Sequence, residues 1–402
     1  MFERGERIFL PGSSGEPSSL VALVLAAPAV AITTSFVPGI NDFAGRHIGD
    51  ATIVTGFFMQ PALAGAQRVG SFRHLPLSYA GIVKWLDETE PFDTCVVQVS
   101  PPDRKGICSL GPAAEFTPIV LRRARRVIAV VNSNLPYFAN APKIELASCT
   151  VQVAADTPII GYDTGPVDEA ACRIAGHVAA FIGDDVVLQL GLGKVPAGIL
   201  ARLGDRRGLK LHSGMLSDGV MALQASGALA CNAVHRTTVL LGPAPFYRWA
   251  ADRSDIAIVP CDKIHAAGVL SSIERFVAIN SALEVDLFGQ CNLELASGRA
   301  VSGVGGALDF ARAARLSRDG LSIVALPATF GNGKGSRIKP VLGSDALVSV
   351  PRTDVDVVVT EEGAADLRGR SVYERAEAII EIASSQFKGE LRVVWAQMQK
   401  RL

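Results

Sequence analysis

Short apolar runs of strand length alternate with segments of helix length along nearly the whole chain, and this alternation restricts the fold more than any other feature. It is the pattern of an α/β protein with mostly parallel sheets. In the first part, strands are expected over residues 8–10, 30–33, 52–54, 94–99 and 127–131, with a helix over 81–88. A looser stretch, 155–166, carries Pro158, Gly161, Gly165 and Pro166. It marks the expected boundary between two domains, 1–160 and 161–402. Beyond it, residues 168–181 have apolar positions at helical spacing. Further strands are expected over 186–190, 238–241, 256–259, 276–280, 321–325 and 355–360.

Composition narrows the function. With 402 residues, 49% hydrophobic and 19% charged, the chain has material for more than one buried core and is not of disordered type. Lys+Arg and Asp+Glu balance at 39 each, which supplies no basic face for nucleic acid, and 6% aromatic residues argue against base-stacking platforms. The seven cysteines are scattered without a CxxC pair, and most sit in apolar runs. They read as reduced core residues of a cytoplasmic protein, with neither a disulfide framework nor a metal site. Residues 18–41 carry no charge and superficially resemble an export signal or membrane segment. Pro28, however, divides them into a helix of about ten residues and a strand, too short for a ~20-residue span. No membrane association is expected.

Three glycine-rich strand exits stand out: Gly191-Leu192-Gly193-Lys194-Val195-Pro196, Gly303-Val304-Gly305-Gly306 and Gly331-Asn332-Gly333-Lys334-Gly335-Ser336. Backbone N–H groups in such turns, beside a helix N-terminus, suit phosphate oxygens. None is a dinucleotide or P-loop fingerprint: Pro196 stands at the third glycine of the first, and Ala328 where the third needs its first glycine. Taken singly, each is weak. Together they suggest an extended ligand with phosphates.

Longer runs carry a resemblance. Residues 189–196 (Gln-Leu-Gly-Leu-Gly-Lys-Val-Pro), 212–219 (His-Ser-Gly-Met-Leu-Ser-Asp-Gly) and 278–290 resemble the acetyl-CoA hydrolase/transferase family, which includes single-chain 4-hydroxybutyrate and acetate CoA-transferases. Ser302 to Gly306 with Asp309-Phe310, Leu326 to Thr329, Ser336-Arg337-Ile338, Val359 to Glu361 and Leu367-Arg368-Gly369 continue it in order, and Val99 to Asp103 with Ser109-Leu110-Gly111 fits in the first half. The resemblance implies two CoA-transferase-type α/β domains with the active site in the cleft between them. It implies that Gly191, Leu192, Gly193, Lys194 and Val195, with Gly305 and Gly306, bind CoA, and that Asn280 holds the thioester oxygen. A side-chain amide and backbone N–H groups are the donors an acyl-transfer oxyanion needs. Acyl-CoA and a small carboxylic acid are the implied substrates. No cofactor is tightly bound, no metal is required, and the expected state is a homodimer or larger homo-oligomer.

One position departs from the family. Its transferases use a glutamate that attacks acyl-CoA and becomes a glutamyl-CoA thioester, within a His-Thr-Glu-Met run ahead of Ser-Asp-Gly. The aligned run here is His212-Ser213-Gly214-Met215, so Gly214 occupies the carboxylate position. Asp218, Glu284 and Glu361 lie where family members also carry a carboxylate in addition to the nucleophile. Ser213 and His212 are adjacent on a strand and so point to opposite faces, against a Ser–His dyad. Cys261 and Cys291 read as buried filler, and His177, His235 and His265 lack ligand spacing. The expected function is acyl-CoA processing, by transfer or hydrolysis, without the glutamyl-CoA intermediate. The alternative is a CoA-binding or partner subunit that has lost the chemistry.

Overall fold

Two sheets organise the computed structural model, which describes residues 2–402. The first runs in the order Phe72–His74, Ile53–Gly56, Ala31–Thr34, Arg7–Leu10, Thr94–Val99, Arg126–Asn132, Val151–Ala155, with every neighbouring pair parallel. The second runs Ile256–Ile258, His235–Leu241, Lys210–Ser217, Val187–Leu190, Phe276–Ser281, Leu321–Ala325, Val357–Thr360, Gly363–Asp366, and only its last pair is antiparallel. The α/β class with mostly parallel sheets is therefore what the chain adopts. Residues 156–168, between the two sheets, hold no regular element.

The alternation becomes structure through burial. Thr94–Val99 is buried at all six positions, as a strand covered on both faces must be. Helix Glu169–Ala179 starts where the Asp168 side chain accepts the Ala171 N–H at 2.9 Å, and it turns Ile174, Ala175 and Val178 into the core of the second sheet. The uncharged run after Ser18 forms helix Ser18–Leu25, with Leu20, Val21, Val24 and Leu25 buried, and then strand Ala31–Thr34. Among the described residues no helix is long and apolar enough to cross a membrane.

Sequence and structure part in a few places. Strand Lys210–Ser217 is not signalled by an apolar run, because His212 and Ser213 interrupt it. Both are buried and bonded to backbone instead: Ser213 Oγ donates to the Leu190 carbonyl at 2.8 Å, and His212 Nε2 lies 2.9 Å from the Ile264 carbonyl. The strand expected at 355 begins at Val357, since a 3-10 turn, Arg352–Asp354, precedes it. Cys231 is exposed and Cys172 half-buried, so two of the seven cysteines are not core residues.

Chain order in the second sheet reverses at Val187–Leu190. The next three strands add on one side of it, and Phe276–Ser281 opens the other. A crevice forms beyond the carboxyl ends of strands at such a reversal, where ligands of α/β proteins bind. Here it opens between Gly191 and Ser281, facing the first sheet's half of the molecule. The two halves join around it by backbone bonds: Tyr79 N–H to the Gly305 carbonyl at 3.1 Å, Met59 N–H to Ser302 at 3.2 Å and Ala114 N–H to Thr238 at 2.9 Å.

Candidate active site

The crevice contains a cavity of about 410 Å³. Pro38, Gly39, Phe58 and Tyr79 line it from the first half. Gln189 to Leu192, Gly214, Met215, His265, Asn280, Ser281 and residues 302–307 line it from the second. It thus brings together Gly191, Leu192, Gly214, Asn280, Gly305 and Gly306. Gly193, Lys194 and Val195 are not on its wall: they open helix Lys194–Arg202, and Lys194 Nζ pairs with Asp168 at 3.1 Å. The third glycine loop is the turn of a small hairpin, Thr329–Phe330 against Gly335–Ser336, and does not line the cavity.

Asn280 comes from the carboxyl end of Phe276–Ser281 and is nearly buried. Gln189 Nε2 donates to its Oδ1 at 3.4 Å, while Asn280 Nδ2 and Gln189 Oε1 have no partner. A buried amide donor left open on a cavity wall is poised for a ligand oxygen, because an unmade hydrogen bond there is costly.

Gly214 sits within Lys210–Ser217, its carbonyl held by the Thr238 hydroxyl at 2.7 Å. It is not among the glycines with positive φ. A Cβ built on it would lie 3.5 Å from His265 Nε2 and 3.6 Å from Phe310 Cε2, ordinary contact distances. A Cβ at 214 is therefore accommodated at ordinary contact distance on the cavity wall, with His265 as its nearest neighbour.

Sequence reasoning missed His265, because nothing beside it in the chain hints at the site. It follows the short helix Cys261–Ile264, and its ring lies between Tyr79 and Phe310, with centroids 4.7 and 4.5 Å away. Asp309 Oδ2, which also accepts the Ala80 N–H at 3.0 Å, stands 3.7 Å from Nδ1. The residue is 1% exposed, yet both ring nitrogens lack a hydrogen-bond partner. Burial lowers its pKa, and Asp309 opposes that shift in part. The imidazole is neutral at pH 7.

The remaining polar candidates are occupied elsewhere. Glu284 binds Asn292 Nδ2 at 3.0 Å and Lys339 at 3.3 Å, and Glu361 accepts the Ala328 N–H at 2.8 Å. Asp218 is exposed. Burial pushes the Cys261 and Cys291 thiols up, away from the reactive thiolate. Glu115 is buried and its pKa is pushed up to about 7 by desolvation, but Ser13 Oγ at 2.6 Å and Ser35 Oγ at 3.1 Å hold it outside the cavity wall. Among the described residues no group of three His, Cys, Asp or Glu side chains is placed to hold a metal ion.

Two mostly parallel α/β sheets thus face each other across a cleft, with an unpartnered amide donor and glycine loops at a strand-order reversal. Comparison with known proteins gives this cleft its class. The acetyl-CoA hydrolase/transferase N-terminal domain matches residues 50–158, and the C-terminal domain of the same family matches 242–394. The 4-hydroxybutyrate coenzyme A transferase of Clostridium kluyveri is 36% identical over 309 residues, 75% of this chain and 72% of that protein. The succinyl-CoA:cyclohexane-1-carboxylate CoA transferase of Geobacter metallireducens is 30% identical over 354 residues, 86% and 81% of the two chains. RipA from Yersinia pestis superposes with a TM-score of 0.89 at 26% identity, covering 99% of this chain and 95% of that one. The chain belongs to the acetyl-CoA hydrolase/transferase family. It is accordingly an enzyme of acyl-CoA chemistry, a CoA-transferase or a hydrolase.

Proposed function

We propose that this enzyme opens small acyl-CoA thioesters in the cavity between its halves, residues 1–160 and 161–402, without forming a glutamyl-CoA intermediate. The observation that carries the reading is Gly214: the resemblance puts the family's nucleophile at this position, and here it contributes only backbone to the cavity wall. CoA lies along Gly191 to Val195 and the Gly305-Gly306 turn, with backbone N–H groups toward its phosphates. The thioester oxygen accepts from Asn280 Nδ2. Attack on the carbonyl carbon moves its π electrons onto that oxygen, and the amide donor stabilises the resulting charge.

Two nucleophiles fit the space left beside Gly214. Water forms a C–O bond and expels CoA thiolate, leaving a carboxylic acid. A carboxylate acceptor forms a free mixed anhydride and thiolate; the thiolate then attacks the acceptor's carbonyl, breaking its anhydride C–O bond, to give a new thioester and the donor's carboxylate. The test is a panel of acyl-CoAs, with and without short carboxylates, following free thiol and new thioester separately. Thiol release without an acceptor identifies hydrolysis. New thioester only with an acceptor identifies transfer. Neither, with CoA still bound in calorimetry, identifies the CoA-binding subunit and overturns the reading.

A further inference from the structure

We infer that His265 is the general base of this site, taking a proton from an attacking water through Nε2, with Asp309 as its positioning residue, so that the reaction is thioester hydrolysis. The inference rests on the proposed thioester site and goes beyond it by selecting the nucleophile.

Three observations carry it. First, Nε2 faces the position at Gly214 on the cavity wall, 3.5 Å from where a Cβ would stand. Second, the ring is buried with both nitrogens unsatisfied, which is costly for a residue serving only to fill space between Tyr79 and Phe310. Third, the surroundings fix the ring rather than merely admit it. The backbone at Gly306 approaches so closely that a Cβ there would come within 2.3 Å of Cε1, and Asp309 stands on the Nδ1 side. The carboxylate, 3.7 Å from Nδ1, favours the tautomer with its proton on Nδ1, which leaves Nε2 as the proton acceptor.

The choice of nucleophile follows from proton balance. An acceptor carboxylate is already anionic and has no proton to give up, so transfer needs no base. Water does. In the attack, the water oxygen bonds to the carbonyl carbon while its proton passes to Nε2. When the tetrahedral intermediate collapses, the C–S bond breaks and the proton on Nε2 passes to the thiolate. The products are the acid and CoA thiol, with the imidazole neutral again.

The charged and titratable groups facing His265 come from three elements: Asp309 on helix Ala307–Leu316, Tyr79 on helix Tyr79–Glu88, and His212 on strand Lys210–Ser217. Asp309 raises the His265 pKa, and His212 is itself held neutral, its pKa lowered to about 4, chiefly by burial. A base works above its pKa, so loss of Asp309 moves the acid limb of the rate to lower pH.

The test compares wild type, His265→Gln and Asp309→Asn on the acyl-CoA that wild type hydrolyses fastest, with melting temperature and CoA calorimetry on each. His265→Gln is expected to lower kcat by about 10²–10⁴ with CoA affinity unchanged. Asp309→Asn is expected to lower kcat less and to shift the acid limb downward, which a purely structural role would not do. A kcat for His265→Gln within threefold of wild type overturns the base assignment while leaving the thioester site in place. If His265→Gln fails to fold, the Asp309→Asn limb decides: a downward shift supports the assignment and an unmoved limb overturns it. Wild type that makes thioester only with an acceptor overturns the hydrolytic inference alone. Wild type that releases no thiol and makes no thioester overturns both the inference and the proposed function.

Discussion

Gly214 and Gly306 border the same cavity and touch the same imidazole, yet they are glycine for different reasons. At Gly306 the His265 ring already fills the place of a side chain: an added Cβ would stand 2.3 Å from Cε1 and 2.9 Å from Nδ1. At Gly214 an added Cβ would meet nothing closer than 3.5 Å, in a strand whose φ suits any residue. Packing demands the first glycine and leaves the second unexplained.

The largest effect that would break this comparison is the appearance of covalent chemistry. Treating wild type with acyl-CoA and then borohydride or hydroxylamine is expected to leave every glutamate unmodified, as read by peptide mass analysis. Gly214→Glu is expected to become labelled at the substituted position, because a Cβ there meets only ordinary contacts with His265 and Phe310 on the wall of the same cavity as Asn280. A labelled Glu284 or Glu361 in wild type would identify a relocated nucleophile.

Next in size is Asn280→Ala. Removing one oxyanion donor is expected to lower kcat by about 10²–10³, measured by thiol release or thioester formation, whichever wild type performs. An unaffected rate would place the thioester away from the Gly214 side of the cavity. Smaller again is Gly306→Ala, where the methyl group must displace the imidazole or the 302–307 loop. Overpacking of this kind costs about 1–3 kcal/mol, read as a lower denaturation midpoint. Unchanged stability would show that the ring moves freely, and the contrast between the two glycines would dissolve.

The two glycines also show how far the sequence can be read. Strands such as Leu321–Ala325 and Thr94–Val99 are legible because burial on both faces leaves an apolar run. The glycine loops and Asn280 were visible as motifs, and Gly214 as a departure from one. Lys210–Ser217 carries no apolar run because its buried polar residues satisfy themselves on backbone carbonyls, so only the placing of His212 and Ser213 on a strand marked it and its bounds were not legible. His265 escaped because its environment is assembled from Tyr79, Gly306, Asp309 and Phe310, brought together by the docking of the halves. Gly306 and the pair Asp309-Phe310 stood out in the sequence, but as parts of a family run rather than as partners for a histidine.

The smallest expected effect makes the sharpest comparison. Gly214→Ala adds a single methyl in ordinary contact with Nε2 of His265 and Cε2 of Phe310. The strand there needs no left-handed backbone, so the folded state gains no strain. The unfolded chain loses conformational freedom, which at compatible positions stabilises a protein by about 0.4–1 kcal/mol. Gly214→Ala is thus expected to match or slightly exceed wild type in denaturation midpoint, opposite in sign to Gly306→Ala on the other side of the same ring. A loss of more than about 1 kcal/mol would mean that the space beside Gly214 is closed by packing after all. In that case the glycine would be structural, and a missing carboxylate would no longer be needed to explain it.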